Sequence, residues 1–536
     1  LLRKSIAGFV AVVLIAGTTI PQAAMAETSA SVFGVKSYDH ATDLGWGPLA
    51  GNDDATWFAN KLVGTASFPW TPVTTQYNAD VTPSDFTNAK SDDVIYFTGH
   101  GSTNGSLALK AYAGNNAPVN SYVNWDTIGS SWKGWDNTDS EDFEIAIFAA
   151  CNVLKKNSWA NVLSYGGHHL LGYRDPSNEN TDLSIIGSFY NKATGATGGA
   201  PIKIIDAWKY ANTDYSEYDW AVTGHKNNEN DYFYVSSGMT ADQSGTSDIY
   251  HWYNGGGFYL SVSSLATSPL DSDESSKLKE SVVLKKENID IDRIAQNLMK
   301  MQSLKQKINR SNNSVYTDGA STLIEYPSGA INYYREMSEK PIGFSPDEAL
   351  VQAGKFLKQN GGLPSDAQLS AVMPQITEDA NTQQQVTNGY LLEYKRKIDG
   401  VTVDGYAGDS IKVMIDSEGI NYFFRLWREI DRTTASKPMT QIVDFEKAKE
   451  AGEEYLKRNN KSNLMREFDS AELVYFSNSF FVEQSELTPA WKVTSGSDSA
   501  YVNAENGEII DGDEFLDNMF EEINKNYEIG EVKFSE

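Results

Sequence analysis

The sequence predicts an α/β fold with a largely parallel sheet flanked by helices, followed by a second half of α+β units. Two observations point there. Short β-branched and aromatic runs, Val94–Phe97 and Ile145–Phe148, are too short for helices and read as buried strands, with helical spacing in the stretches between strands. Beyond a polar break near residue 270 the texture changes to longer helical patterns with more Lys and Glu.

Taken in chain order, Arg3 and Lys4 precede an apolar run from Ile6 to Ala16, and Ala24-Met25-Ala26 supplies small residues at cleavage positions. This pattern predicts a secretory signal peptide over 1–26 and a secreted or cell-envelope protein. The apolar run is shorter than the roughly 20 residues of a membrane span, so no span is expected in the mature chain.

Residues 27–264 form the first expected domain. Besides the two runs above, Leu170–Tyr173 predicts a third strand, and Trp159–Tyr165 and Leu183–Tyr190 carry apolar residues at helical spacing. Residues 265–300 read as a linker and helical lead-in, with the solvated run Asp271-Ser272-Asp273-Glu274 at their start. The remainder divides at 301–435 and 436–536. Ser345-Pro346-Asp347-Glu348 combines a cap, a first-turn proline and a Glu three residues on, which predicts a helix running to Gln359. Strands over Tyr390–Lys397, Ile411–Ile415 and Asn421–Arg425 follow. Asp444-Phe445-Glu446-Lys447 opens a second helix, and Leu473–Phe476, Ala490–Thr494 and Tyr501–Ala504 repeat the strand series.

Composition narrows the partners. A net charge of −28 and a pI near 4.6 repel nucleic acid and anionic lipid. The single cysteine, Cys151, has no internal partner for a disulfide. It is inert and buried, bridged between chains, or chemically employed.

The informative pair is Thr98-Gly99-His100-Gly101 and Ala149-Ala150-Cys151-Asn152. Each directly follows a predicted strand. Adjacent parallel strands would present His100 and Cys151 at one carboxyl edge, where α/β sheets carry their functional groups. An imidazole beside a thiol favours the reactive thiolate or takes its proton during attack. Glycine after the histidine permits close backbone approach, and the amides of Gly101 and Cys151 would suit an oxyanion. Alone, Gly-His-Gly is a turn and a cysteine after a strand is a core residue; together they favour catalysis.

These two segments, "VIYFTGHG" and "IAIFAACNV", roughly fifty residues apart, resemble the caspase-like cysteine peptidases, the group of caspases, gingipains, clostripain, separase and bacterial CHAT peptidases. "GGHHLLGYRD" over 166–175 and Phe189-Tyr190 add to the likeness. The resemblance implies a secreted cysteine endopeptidase acting on peptide or protein substrates without a cofactor. Cys151 is then the nucleophile, His100 the proton donor to the leaving amine, and Gly101 and Cys151 the oxyanion amides. It also implies an acid that binds a basic residue before the cut. Asp175 is the candidate and Asp182 its rival, with Arg174 placed to neutralise Asp175. The alternative is a catalytically inactive caspase-like binding module at the envelope.

No metal is expected. His168 and His169 are neighbours in a strand, whose side chains point to opposite faces. Carboxylates at Asp53-Asp54, Asp92-Asp93 and Asp511–Glu514 suit structural calcium chemically but lack EF-hand spacing and read as solvated surface. In the second half, "PAWKV" and "YVNAENGEI" resemble PepSY-type modules. That likeness implies intramolecular inhibition, chaperoning or envelope docking of the first half. A self-processing cut between Asp271 and Lys286 is a further expectation.

Overall fold

The computed structural model describes residues 29–39, 49, 53–64, 73–89, 92–112, 121–125, 143–155, 157–177, 181–233, 240, 243–244, 247–255, 258–259, 280–299, 307–310, 313–405, 408–434, 436–458, 470–480, 483–495 and 498–510. The expected signal peptide, the start of the linker and Asp511–Glu514 lie outside these residues.

Five parallel strands form the first half of the sheet. They are β1 (Ala30–Gly34), β2 (Val73–Tyr77), β3 (Val94–Thr98), β4 (Ile145–Ala149) and β5 (His169–Tyr173), in the spatial order β2-β1-β3-β4-β5. β1, β3, β4 and β5 are buried along their whole length, which is why they read as continuous apolar runs. Alternate residues serve opposite faces. Val94, Tyr96, Ile145 and Ile147 join one core with α1 (Asp53–Gly64), α2 (Asp182–Thr194) and α3 (Ile204–Asp214). Ile95, Phe97, Ala146 and Phe148 join the other, with Phe86, Trp159 and Leu163. The expected helix near Trp159–Tyr165 is instead a 3-10 turn over Asn157–Ser164.

The sheet is less parallel than the sequence suggests. Past β5, β6 (Trp220–His225) and β7 (Ile249–Asn254) run antiparallel. β7 then pairs with β13 (Ala367–Asp379), a strand of the second half, so one sheet passes across the expected linker. Two helices, α2 and α3, rather than one connect β5 to β6, so the chain re-enters the sheet from the opposite end.

In the second half, β8 (Val282–Lys285) and α4 (Ile291–Met299) occupy part of the expected linker. A meander of β9 (Lys307–Arg310), β10 (Asn313–Thr317), β11 (Ser321–Glu325) and β12 (Ile331–Arg335) follows. Next come α5 (Pro346–Gln359), β13 (Ala367–Asp379), β14 (Gln385–Ile398), β15 (Val401–Gly405), β16 (Ser410–Asp416) and β17 (Gly419–Leu426). The series α6 (Phe445–Arg458), β18 (Ser470–Ser477), β19 (Glu486–Ser495) and β20 (Asp498–Asn503) follows, and a short strand at Ile509–Ile510 pairs with β20 at its end. The cap at α5 has the expected reciprocal form: Glu348 N–H donates to Ser345 Oγ at 3.3 Å and Ser345 N–H to Glu348 Oε2 at 2.7 Å. The Asp399-Gly400 turn has both residues at positive φ, 50° and 89°, the geometry a two-residue hairpin between β14 and β15 requires.

α3 is buried on every side, although it carries Asp206, Lys209 and Asp214. One face meets the parallel sheet, where Trp208 packs on Tyr173 at 5.7 Å; the other meets β17, where Tyr210 stacks on Tyr422 at 5.2 Å. A helix enclosed on all sides needs a partner for each polar group. Asp214 Oδ1 accepts from Asn332 Nδ2 and Tyr422 OH at 2.8 and 2.7 Å, and Lys192 Nζ donates to its Oδ2 at 2.6 Å. Removing one partner of such a buried ion pair costs about 3–5 kcal/mol.

His251, on β7, sits at the seam between the halves. Its Nδ1 meets Thr223 Oγ1 at 2.8 Å, and its backbone pairs with Thr223 and Glu378. Burial pushes its pKa down to about 4. The unfolded chain protonates near pH 6.5, so this stability is present above that value and is lost as the pH falls toward 4. At pH 5 the loss from His251 alone is up to about 2 kcal/mol. Urea midpoints at pH 7 and pH 5 should therefore fall less for His251→Gln than for the unaltered chain; equal falls would refute the assignment.

Candidate active site

β3 and β4 lie side by side with Val94 opposite Ile145 and Thr98 opposite Ala149. Lateral bonding continues one residue past the strands, Gly99 N–H donating to Ala149 O at 3.2 Å. His100 and Cys151 are therefore the second residues beyond two paired strand ends, on loops in contact at the carboxyl edge. The approach at Gly101 is close: a Cβ built there would stand 2.1 Å from the Cys151 carbonyl oxygen and 2.9 Å from Val153 Cγ2. Only glycine fits.

Gly101 also faces Leu107 in an isolated antiparallel bridge. The bonds of that bridge are made by its neighbours, Ala108 N–H to His100 O at 2.9 Å and Ser102 N–H to Ser106 O at 3.0 Å. In such a non-hydrogen-bonded pair the Gly101 amide turns away from Leu107.

His100 is 3% exposed and Cys151 is 7% exposed. His100 N–H donates to the Tyr38 hydroxyl at 2.8 Å; that hydroxyl donates to Val35 O at 3.0 Å, and the two rings pack at 5.0 Å. The Cys151 sulfur receives the Ser177 N–H at 3.4 Å, with Ser177 Oγ at 3.7 Å. The thiol in turn donates to Ser177 O at 3.8 Å. Asn152 holds the left-handed conformation at φ 62°, which its short polar side chain tolerates.

The loop after Cys151 is strapped to the turn after β5. Asn152 N–H donates to Asp175 O at 3.3 Å, and Leu154 N–H to Tyr173 O at 2.9 Å. Trp159 Nε1 donates to Gly105 O at 2.6 Å, tying the same segment back to the loop after His100. Three loops, from β3, β4 and β5, thus meet at one edge.

The structure separates the two acid candidates. Asp175 is half-exposed beside the cysteine loop, and its carboxylate pairs with Lys155. Arg174 does not neutralise it, contrary to the sequence reading. Its guanidinium lies 3.9 Å from the Tyr253 ring centre, because β7 brings that ring alongside. Asp219 is a second acid here: burial raises its pKa, Asp175 raises it further, and Lys155 opposes. Asp182 is buried in the first turn of α2, beneath the sheet. Its charge adds to burial in holding the Tyr173 hydroxyl well above the usual phenol range.

His168 and His169 also differ from expectation. His168 precedes the strand, so the two rings are not forced to opposite faces, and both reach Asp231. His168 Nδ1 lies 2.6 Å and His169 Nε2 3.5 Å from Asp231 Oδ2. Burial pushes the Asp231 carboxyl up, but the bonds from both histidines outweigh it and hold the group well below its usual range. Thr240 N–H and Oγ1 fill the other oxygen at 2.8 and 2.6 Å, so this cluster pins the loop after β6. Among the described residues, no group of three or more His, Cys, Asp or Glu side chains is arranged to hold a metal ion, and no helix is long and apolar enough to cross a membrane. Asp54 accepts the Tyr96 hydroxyl at 2.7 Å, and Asp93 accepts Ser29 N–H at 2.7 Å.

No protein-family model and no curated protein matches the chain. Among solved structures the chain is similar to YycH from Bacillus subtilis, at 13% identity and a TM-score of 0.27, over 56% of this chain and 77% of that one. It is also similar to the Bacillus megaterium YpeB C-terminal domain, at 15% identity and a TM-score of 0.21, over 42% and 97% of the respective chains. Likenesses at these scores carry no argument about this chain.

Sequence reasoning missed Tyr38, Ser177, Lys155 and Asp219 as neighbours of the site. None lies in a motif, and only Ser177, just past the Asp175-Pro176 turn, had a positional hint. Gly101→Ala forces a methyl into the Cys151 carbonyl and should cost about 3 kcal/mol. Urea unfolding of the full chain checks this; an unchanged midpoint would contradict the packing described.

Proposed function

We propose that the protein is a cysteine endopeptidase with His100 and Cys151 as its dyad. The observation that carries the reading is the contact of the two loops, with Gly101 packed on the Cys151 carbonyl at the carboxyl edge of adjacent parallel strands. In this reading the Cys151 thiolate adds to the scissile carbonyl and forms a C–S bond. The Gly101 and Cys151 amides hold the resulting oxyanion. Collapse breaks the C–N bond as His100 gives its proton to the departing amine, and water then hydrolyses the thioester to return the thiol. Asp175 is proposed as the acid for a basic residue before the cut. The pairing with Lys155 is half-exposed, so it is weak enough for a substrate cation to displace. The second half is proposed as PepSY-like, and the whole protein as secreted or envelope-bound.

Fluorogenic peptides ending in Arg, Lys, Asn or Asp, and casein, test this under reducing conditions, since a catalytic thiolate oxidises readily. Cys151→Ala should lower hydrolysis by at least about a thousandfold. Hydrolysis that survives that substitution overturns the dyad.

One observation favours a second reading, a non-catalytic binding module: both side chains are nearly enclosed. Iodoacetamide under native conditions separates the two. Rapid modification of Cys151 supports the enzyme; a thiol that reacts only after unfolding supports the module.

A further inference from the structure

We infer that residues 280–510 are a permanent structural partner of the first half, and that a cut in the connection between them leaves both pieces bound to each other. This does not depend on the catalytic reading. The interaction surface is the outer face of α3 together with the edge of β7, and its occupant is the second half of the same chain.

The backbone supplies the first part of the argument. β7 pairs with β13 over five residues, from Tyr250 opposite Asp379 to Asn254 opposite Gln375. The ladder extends at both ends, through Ala380 N–H to Ile249 O and Gly255 N–H to Pro374 O, each 2.9 Å. Phe258 and Tyr259 pair with Val372 and Ala371 further along the same strand. All these residues of the first half precede residue 260, so a cut beyond it leaves the ladder intact.

Side chains supply the second part. Lys412, on β16, donates its ammonium to Thr213 O at 2.6 Å and Asp214 O at 3.0 Å, the carbonyls that end α3. A cation at a helix C-terminus complements its dipole, and here it is fully buried. Met337 N–H donates to Asp206 Oδ2 at 2.8 Å, Tyr210 OH to Arg335 O at 2.8 Å, and Tyr218 OH to Glu393 Oε1 at 2.8 Å. Separation would take the Met337 amide from Asp206, Asn332 and Tyr422 from Asp214, and the α3 carbonyls from Lys412, leaving Asp206 with Lys209 and Asp214 with Lys192. These buried polar groups would lose hydrogen bonds on both pieces, so dissociation is opposed from both sides.

The consequence is regulatory. A second half held in this way is not a removable inhibitor, and self-processing near residue 271 would yield a two-chain protein rather than a released first half.

The test is made on the full chain with a site-specific protease sequence inserted between residues 265 and 275. After complete cleavage, size-exclusion chromatography at micromolar and at about ten-nanomolar protein should show both fragments at the volume of the uncut chain. Two separate peaks at micromolar concentration, or precipitation of one fragment on cutting, would overturn the inference. Tyr210→Phe removes two hydrogen bonds across the seam, to Arg335 O and from Asn421 Nδ2, with little risk to folding. The cut Tyr210→Phe protein should dissociate at lower urea than the cut unaltered protein; identical urea dependence would show that the α3 face does not hold the partner.

Discussion

The lateral pairing of β3 with β4 is the contact on which the candidate site depends. It fixes Thr98 opposite Ala149 and carries through to Gly99, so the residues that follow leave the sheet together. A slip of one residue would turn each side chain to the other face and part the two loops. Glycine at 101 then lets the histidine loop settle against the cysteine carbonyl. Tyr38 and Ser177, from the loops after β1 and β5, brace His100 and the sulfur from either side.

The second half extends this frame. The sheet continues through β6 and β7 into β13, and α3 lies between the parallel strands and β17. The seam reaches the neighbourhood of the site: Tyr253, which takes the Arg174 guanidinium on its ring, donates its hydroxyl to Glu378 of β13 at 2.6 Å. Arg174 is thereby engaged away from Asp175, and the charge beside the cysteine loop is set by Asp175, Asp219 and Lys155.

What was legible in the sequence was what is local. β3, β4 and β5 are apolar on both faces and announce themselves; the capping residues before α5 do the same. β13 was not legible, because Pro374 interrupts it. The structure tolerates that proline beside a register shift at Gln375 and Ile376, where the ladder is already irregular. α3 was missed because its charges look solvent-facing, and only the second half explains their burial. His100 and Cys151 were legible through the strands that precede them. Lys155, Asp219 and Tyr38 were not, since their nearness follows from strand order and no local pattern encodes it.

The central claim is that His100 and Cys151 act on one bond. It is tested most directly by the rate at which a peptidyl acyloxymethyl ketone labels Cys151, read by mass spectrometry in the unaltered chain and in His100→Ala. The account predicts labelling of Cys151 that slows by at least about a hundredfold when the imidazole is removed. Equal labelling of the two proteins would contradict it.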